Sequence, residues 1–298
     1  MQRHPVSSSR QHAEGSRGAA GRGLSRRELL ARTGILAGAV PLVGAVDGLF
    51  VTPGWLTATS HTVGGGGRPQ QATLRVLQVS DLHLRTIGGL EQRLLAALHA
   101  AAPDVIAFTG DVIDRQTALP QLEIFLRECP RQPRCYAITG NWEHWSGVPL
   151  EALEKLYERH GVELLVNRSV EFAQDGCRVR VTGLDDLIGG SPDAAAALRD
   201  AAACPNHVVL AHCPAVRDAV PLPAEHPADF MLSGHTHGGQ IAPLGIVLKL
   251  PHGSGGYVSG WYRNDGPALY VSRGIGTSLV PMRIGATPEL AQFDWSLG

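Results

Sequence analysis

The sequence predicts an α/β fold, and three observations predict it. Apolar runs of strand length alternate with segments of helical period between residues 74 and 232. Short polar motifs begin where those apolar runs stop. The C-terminal third, around residues 268–271 and 290–293, reads as strand-rich. In sheets whose strands are joined by helices, ligands bind beyond the carboxyl ends of the strands, which is where the polar motifs fall.

The elements follow in order. Residues 55–63 alternate polar and apolar side chains and read as an edge strand, and the Gly-rich stretch 64–69 is a flexible connector. Residues 74–79 form a strand running into Asp81. Leu94, Leu95, Leu98 and Ala101 mark a helix over 90–101, which Pro103 ends. Residues 105–108 form a buried strand running into Gly110-Asp111. A helix over 119–128 and a strand over 135–138 lead to Gly140-Asn141. A helix over 150–160 stops at Gly161. Strands over 162–166, 169–173 and 179–182 form a meander, and an Ala-rich helix covers 194–203. Strands over 207–210 and 228–232 run into His212 and into Gly234-His235.

Composition excludes some functions. The 298 residues carry a formal net charge of -1 and only 5% aromatics, so no basic, base-stacking surface for nucleic acid is expected. None of the five cysteines lies in a CxxC pair, which argues against a structural zinc cage, and the odd count argues against a Cys129–Cys135 disulfide. The first 24 residues are Arg-, Gly- and Ser-rich. Arg26-Arg27 then precedes an apolar run over 35–51, interrupted by Pro41 and Asp47. This is the pattern of a twin-arginine export signal. The run is short of the roughly 20 clean apolar residues of a permanent span. Residues 1–51 are therefore read as an N-region with signal and a possible membrane segment, and 52–298 as one catalytic domain. The expected location is outside the cytoplasmic membrane, with the export machinery as a partner and the N-terminus as a route to membrane association.

The motifs supply three oxygen ligands and four imidazoles. Asp81 and His83 are two apart, on one face of an extended strand end. Asp111 follows a fully apolar strand, where a carboxylate is costly unless paired or metal-bound. It is the natural bridge, because its two oxygens can serve two cations. Asn141 adds a neutral oxygen, and His212 ends a further apolar strand. His235 and His237 sit in Gly234-His235-Thr236-His237-Gly238-Gly239-Gln240, where the glycines let two imidazoles converge. Asp114 is expected to cap the following helix, and Arg115 to be a surface residue. Two adjacent divalent metals with mixed nitrogen and oxygen ligands are the usual apparatus of phosphate-ester hydrolysis.

In this order, Asp81-Leu82-His83, Gly110-Asp111, Gly140-Asn141, Ala211-His212 and the run from Gly234 to Gln240 resemble the calcineurin-like metallophosphoesterase superfamily. The likeness is closest to its bacterial membrane-associated, twin-arginine-exported branch, which the tail motifs 272–277, 281–283 and 288–290 also resemble. It covers roughly residues 52–294. The resemblance implies a four-layer α/β/β/α sandwich. It implies two divalent metal ions (Mn, Fe, Zn or Ni), one on Asp81, His83, Asp111 and His237, the other on Asp111, Asn141, His212 and His235. It implies hydrolysis by a hydroxide shared between the metals, on phosphodiester or pyrophosphate bonds of a small or lipid-linked substrate. A phosphomonoesterase or protein phosphatase is the alternative within the class. One position departs from the family pattern: Trp142 stands where a histidine usually serves the leaving group. His144, two residues on, is then the candidate acid. The same departure motivates the alternative of a metal-binding protein with little turnover, and Trp142 with Trp145 suggests an apolar lip.

Overall fold

The computed structural model describes residues 47–64, 70–264 and 266–298. The leader assigned to residues 1–51 lies almost wholly outside them. Among the described residues, twelve strands form two six-stranded sheets. In the first, β1 (Thr57–Val63), β12 (Glu289–Leu297), β2 (Ala72–Val79), β3 (Val105–Thr109), β4 (Arg134–Ile138) and β5 (Val162–Leu164) lie side by side. In the second the order is β10 (Gly260–Tyr262), β11 (Ala268–Val271), β9 (Phe230–Ser233), β8 (Asn206–Leu210), β7 (Cys177–Gly183) and β6 (Arg168–Gln174). The runs β2-β3-β4-β5 and β9-β8-β7 are parallel, so their carboxyl ends lie together. The edge strand expected at 55–63 is β1, paired parallel to β12.

Side-chain alternation builds the layers. On β2, Leu74 and Val76 face the second sheet, while Leu77 and Val79 face helices. Strand β3 divides the same way: Val105 and Ala107 point inward, Ile106 and Phe108 outward. The outward set packs on α1 (Gly89–Ala101), α2 (Leu119–Glu128) and α4 (Leu150–Arg159) through Leu94, Leu98, Phe125 and Leu153. On the far side, Val209 and Met231 pack on α5 (Ala194–Leu198) and α6 (Val216–Ala219). Between the sheets, Phe230, Phe293 and Trp295 form the aromatic centre, with Phe230 edge-on to Trp295 at 5.1 Å. Helices outside two stacked sheets make the four-layer α/β/β/α sandwich. Strands buried on both faces explain why β3 and β8 read as continuous apolar runs.

The structure differs from the sequence reading in three places. The Ala-rich helix stops at Leu198 rather than 203, and Arg180 and Arg178 on β7 donate to the carbonyls of Ala202 and Ala203 beyond its end. A short helix, α3 (Asn141–Trp145), begins at Asn141, where the sequence reading placed no helix. Asp114 caps no helix; it pairs with Arg85 at 2.7 Å and with Arg115 at 2.7 Å. All five cysteines are free, and Cys213 turns from the motif beside it toward Asp186 Oδ1 at 3.1 Å.

Candidate metal centre

Hydrogen bonds between loops bring the motifs together. Beyond β2 and β3 the chain stays zipped: Asp81 N–H donates to Gly110 O at 3.0 Å, and His83 N–H to Asp111 O at 2.9 Å. Beyond β8 and β9, Gly234 N–H donates to His212 O at 3.0 Å. The sheets are tied by Gln78, which donates to Thr109 Oγ1 at 3.0 Å and Ser233 O at 2.9 Å. Asp81 closes the arrangement by accepting His235 N–H at 2.9 Å.

The backbone records what this convergence costs. Asp81, His83, Asp111, His235 and His237 have φ of 51°, 44°, 54°, 70° and 51°. Each such residue costs on the order of 1–3 kcal/mol and persists where the surroundings over-determine it, as at functional sites. Gly110, at φ 86°, lies where a Cβ would meet His212 Nδ1 at 2.7 Å and Gly140 N at 2.8 Å. Only glycine lets these three loops close on each other.

Two groups of buried ligands result. Asp81, His83 and His237 form one; Asp111, His212 and His235 form the other, each within a 4.8 Å span. Asp111 Oδ2 lies 3.1 Å from His212 Nε2 and 3.8 Å from His83 Nε2, between the groups. Asn141 is buried and lines the same cavity floor. The donor set fits divalent cations. Asn141 Oδ1 is buried with no hydrogen-bond partner, and the Nε2 atoms of His83 and His237 face each other at 3.1 Å. Two neutral imidazoles gain from that approach when they share a cation.

Surrounding groups set the tautomers and charges. His212 Nδ1 sits 2.8 Å from Thr109 O, which leaves Nε2 as the coordinating nitrogen; His235 Nε2 sits 2.7 Å from His252 O, which leaves Nδ1. Burial pushes Asp111 up, but His212 beside it overrides burial and holds the carboxyl at about 2. Burial pushes His83 down to about 4, against the pull of Asp111. Burial, then His83 and Arg283, drive His237 well below the usual imidazole range. Metal binds neutral imidazoles and an ionised bridge. Burial lowers His212, but Asp111 beside it raises it well above the usual range, so His212 gives up a proton when a cation binds, whereas His83 and His237 have none to lose.

Three functional residues escape sequence reasoning. Glu143, 1% exposed, accepts the N–H groups of Asp111 at 2.8 Å, Val112 at 2.6 Å and Gly140 at 2.8 Å. It moulds the loop that aims Asp111; an acid two residues after the family's Gly-Asn was the signal. Arg283, fully buried, donates to Gly276 O at 2.8 Å and Arg273 O at 2.9 Å, and its Nη2 lies 3.2 Å from His237 Nδ1. Gln240, last residue of the histidine motif, braces a neighbouring loop by accepting from Ser278 N–H at 3.0 Å and donating to Ser278 O at 3.0 Å.

A cavity of about 720 Å³ opens over the metal groups, lined by Asp111, Asn141, His235 and His237 on its floor. Trp142, Trp145, Ile188, Leu248, Leu250 and Leu279 make much of its wall, and Lys249 and His252 add polar groups. Trp142 stands edge-on to His83 at 6.0 Å and to Trp145 at 5.8 Å. His144 is not among the lining residues; its Nε2 meets Asp185 Oδ1 at 2.7 Å, and Asp185 is itself held by Thr139 Oγ1 at 2.7 Å.

Comparison with known proteins agrees with this geometry. The family model for calcineurin-like phosphoesterases matches residues 74–239, the span from β2 through the second histidine motif. The uncharacterized metallophosphoesterase YkuE of Bacillus subtilis is 31% identical, over 91% of this chain and 97% of that protein. The transmembrane protein with metallophosphoesterase domain of Bos taurus is 27% identical, over 75% of this chain and 53% of that one. Among solved structures, the 5'-nucleotidase precursor of Thermus thermophilus superposes with a TM-score of 0.46 at 14% identity, over 76% of this chain and 55% of that one. With ligand-bearing loops at the carboxyl ends of two parallel sheet segments and a family match across more than half of its length, the chain belongs to the calcineurin-like phosphoesterases, metal-dependent phosphoric ester hydrolases.

Proposed function

We propose that this chain is a two-metal hydrolase of phosphodiester or pyrophosphate bonds in a small or lipid-linked substrate, acting outside the cytoplasmic membrane. One cation is assigned to Asp81, His83, Asp111 and His237, the other to Asp111, Asn141, His212 and His235. The observation that carries this reading is the pair of buried three-ligand groups with the Asp111 carboxylate between them. Bound there, two divalent cations supply the Lewis acidity that activates water and neutralises phosphate charge. The protein's own residues do the rest. Asp111 stays ionised, with its carboxylate fixed by Trp142 N–H at 2.8 Å. His212 and His235 are held in their coordinating tautomers. Asn141, being neutral, keeps the site cationic toward an anionic substrate.

The apolar wall of Trp142, Trp145 and Leu248 supports a substrate with an apolar part over a purely ionic one. The Bos taurus relative is a transmembrane protein, which supports work at a membrane. His144, the sequence's candidate acid, lies outside the cavity lining with its Nε2 against Asp185, so it is assigned no proton transfer, and a His144→Gln protein is expected to keep the basic limb of the pH–rate profile. The Arg26-Arg27 sequence supports twin-arginine export, which unchanged localisation of an Arg26→Lys, Arg27→Lys protein would exclude. Elemental analysis of the purified protein, coupled to a panel of aryl monoesters, aryl diesters and phospholipids, tests the whole reading. Two equivalents of divalent metal with diester hydrolysis are expected. Metal without turnover on any phosphoester would favour the second reading, a metal-binding protein, which Trp142 in the family's histidine position motivates.

A further inference from the structure

The mouth of the metal cavity carries large apolar side chains that nothing in the described fold covers. Leu244 is 98% exposed, Leu279 82%, Leu248 68%, Ile246 63% and Val280 46%. They stand on two loops, residues 243–250 and 278–282. An exposed apolar patch of this kind at a cavity mouth marks an interaction surface.

The display is built into the backbone. Leu244 and Leu279 sit at turn tips with φ of 55° and 59°, conformations that leucine adopts only when held. The loops are bound to each other and to the histidine motif. Gln240 reaches Ser278 and Val280, donating to both carbonyls at 3.0 Å, and Ala242 N–H donates to Ile284 O at 2.8 Å. His237 is thus three residues from the clamp that holds the rim. The bases of both rim loops are thereby tied to the histidine motif.

Two further observations identify the occupant. Residues 241–252 and 276–287 contain no Asp or Glu, and Lys249 is their one exposed cation, since Arg283 is buried, so the rim surface is cationic where it is charged. Gly48, from the last residues of the apolar run, lies against this rim: Arg283 N–H donates to Gly48 O at 2.9 Å, and Leu49 and Val51 next to it in sequence are exposed. No helix among the described residues is long and apolar enough to cross a membrane.

We propose that the two rim loops dip into the interface of an anionic lipid bilayer and hold the metal cavity over membrane-resident phosphoesters. This rests on the hydrolase reading above for the chemistry and names the surface from which its substrate comes. Leucine and isoleucine tips enter the acyl boundary while Lys249 stays at the headgroups, as amphipathic interfacial elements do.

The test uses the full metal-loaded chain and a Leu244→Asp, Ile246→Asp variant, two positions outside the cavity lining. Co-sedimentation is measured with vesicles of phosphatidylglycerol and phosphatidylcholine in equal parts. The variant is expected to lose vesicle affinity by about a hundredfold while hydrolysing a soluble aryl phosphodiester at the wild-type rate. Replacing phosphatidylglycerol by phosphatidylcholine is expected to weaken wild-type binding about fivefold, the contribution of one lysine near an anionic surface. Equal vesicle binding by both proteins overturns the proposal. So does a variant whose only change is dissociation of an oligomer, which makes a second copy of the chain the occupant. If neither protein hydrolyses any phosphoester but vesicle binding differs as stated, the hydrolase reading fails and the docking surface stands.

Discussion

The two ligand groups look equivalent in composition and differ in what stands behind them. In the Asp111–His212–His235 group, each imidazole is oriented by a backbone carbonyl, Thr109 O or His252 O, at 2.8 and 2.7 Å. In the Asp81–His83–His237 group, His83 Nδ1 is buried without a hydrogen-bond partner, and His237 Nδ1 faces the Arg283 cation at 3.2 Å. One group is preorganised by neutral acceptors; the other is held by packing and by a buried guanidinium. Outer partners of this kind are worth about 10–100-fold in metal affinity. The Asp111 group should therefore fill first and empty last.

Replacing the shared ligand breaks both groups at once. Asp111→Asn removes the charge that serves both positions while keeping the shape. Phosphodiester hydrolysis is expected to fall on the order of 10²–10³-fold, the scale of losing one main electrostatic stabiliser. Elemental analysis should show metal lost from both positions. A protein that kept two equivalents and full turnover would remove Asp111 from the bridge.

Acid separates His83 from His212, while His235, lowered by burial and by His212, titrates on the side of His83. His83 is held at about 4 against an ordinary value of 6.5, so between those pH values the unfolded chain binds a proton that the folded chain refuses. Stability of the metal-free protein then rises with pH across this window and is lost as pH falls from 6.5 toward 4, by about 3 kcal/mol for this one group. His212 has the opposite sign. Burial lowers its pKa, but Asp111 beside it raises it well above the usual range. Its contribution is present below 6.5 and is lost as pH rises through the folded value. Thermal melts of metal-free His83→Gln should show a flatter acid limb and an unchanged alkaline one. An unchanged acid limb would mean that the first group is already solvated.

Much of this was legible in the sequence because the signal is local. Each ligand follows an apolar run, and strand ends in parallel sheets converge whatever the loops do. Leu74, Val76 and Val105 through Phe108 announced both their strands and the motifs after them. The rest was not legible because it depends on contacts between loops. Glu143 reads as a helix-start acid until its carboxylate is seen under the Asp111 loop, and Arg283 as a surface cation until it is seen enclosed by carbonyls. The expected cap at Asp114 followed a rule about neighbours in sequence, whereas Arg85 arrives from another loop.

Glu143 gives the next largest effect on the comparison. Gln in its place puts an N–H₂ against backbone N–H donors from Asp111, Val112 and Gly140, leaving at least one buried donor unpaired at about 1–3 kcal/mol. The Glu143→Gln melting temperature should fall, and the Asp111 group should lose its advantage in metal affinity. If that group still fills first, its preorganisation comes from the two carbonyls alone.

The smallest change addresses the weaker group. Ser80 Oγ donates to Asp81 Oδ2 at 2.6 Å, and Asp81 also accepts His235 N–H at 2.9 and 3.1 Å. Burial drives the Asp81 carboxyl upward, ahead of the opposing pull of His212. The serine hydroxyl is thus one of the few groups that keep this carboxylate in its coordinating form. Ser80→Ala removes one hydrogen bond to a buried charge, about 1.5–3 kcal/mol at most, and less once a bound cation takes over the stabilisation. The expected result in calorimetric titration is a several-fold weaker second metal step and an unchanged first step. A loss in the first step instead would show that Asp81, through its hold on His235, supports the stronger group as much as its own.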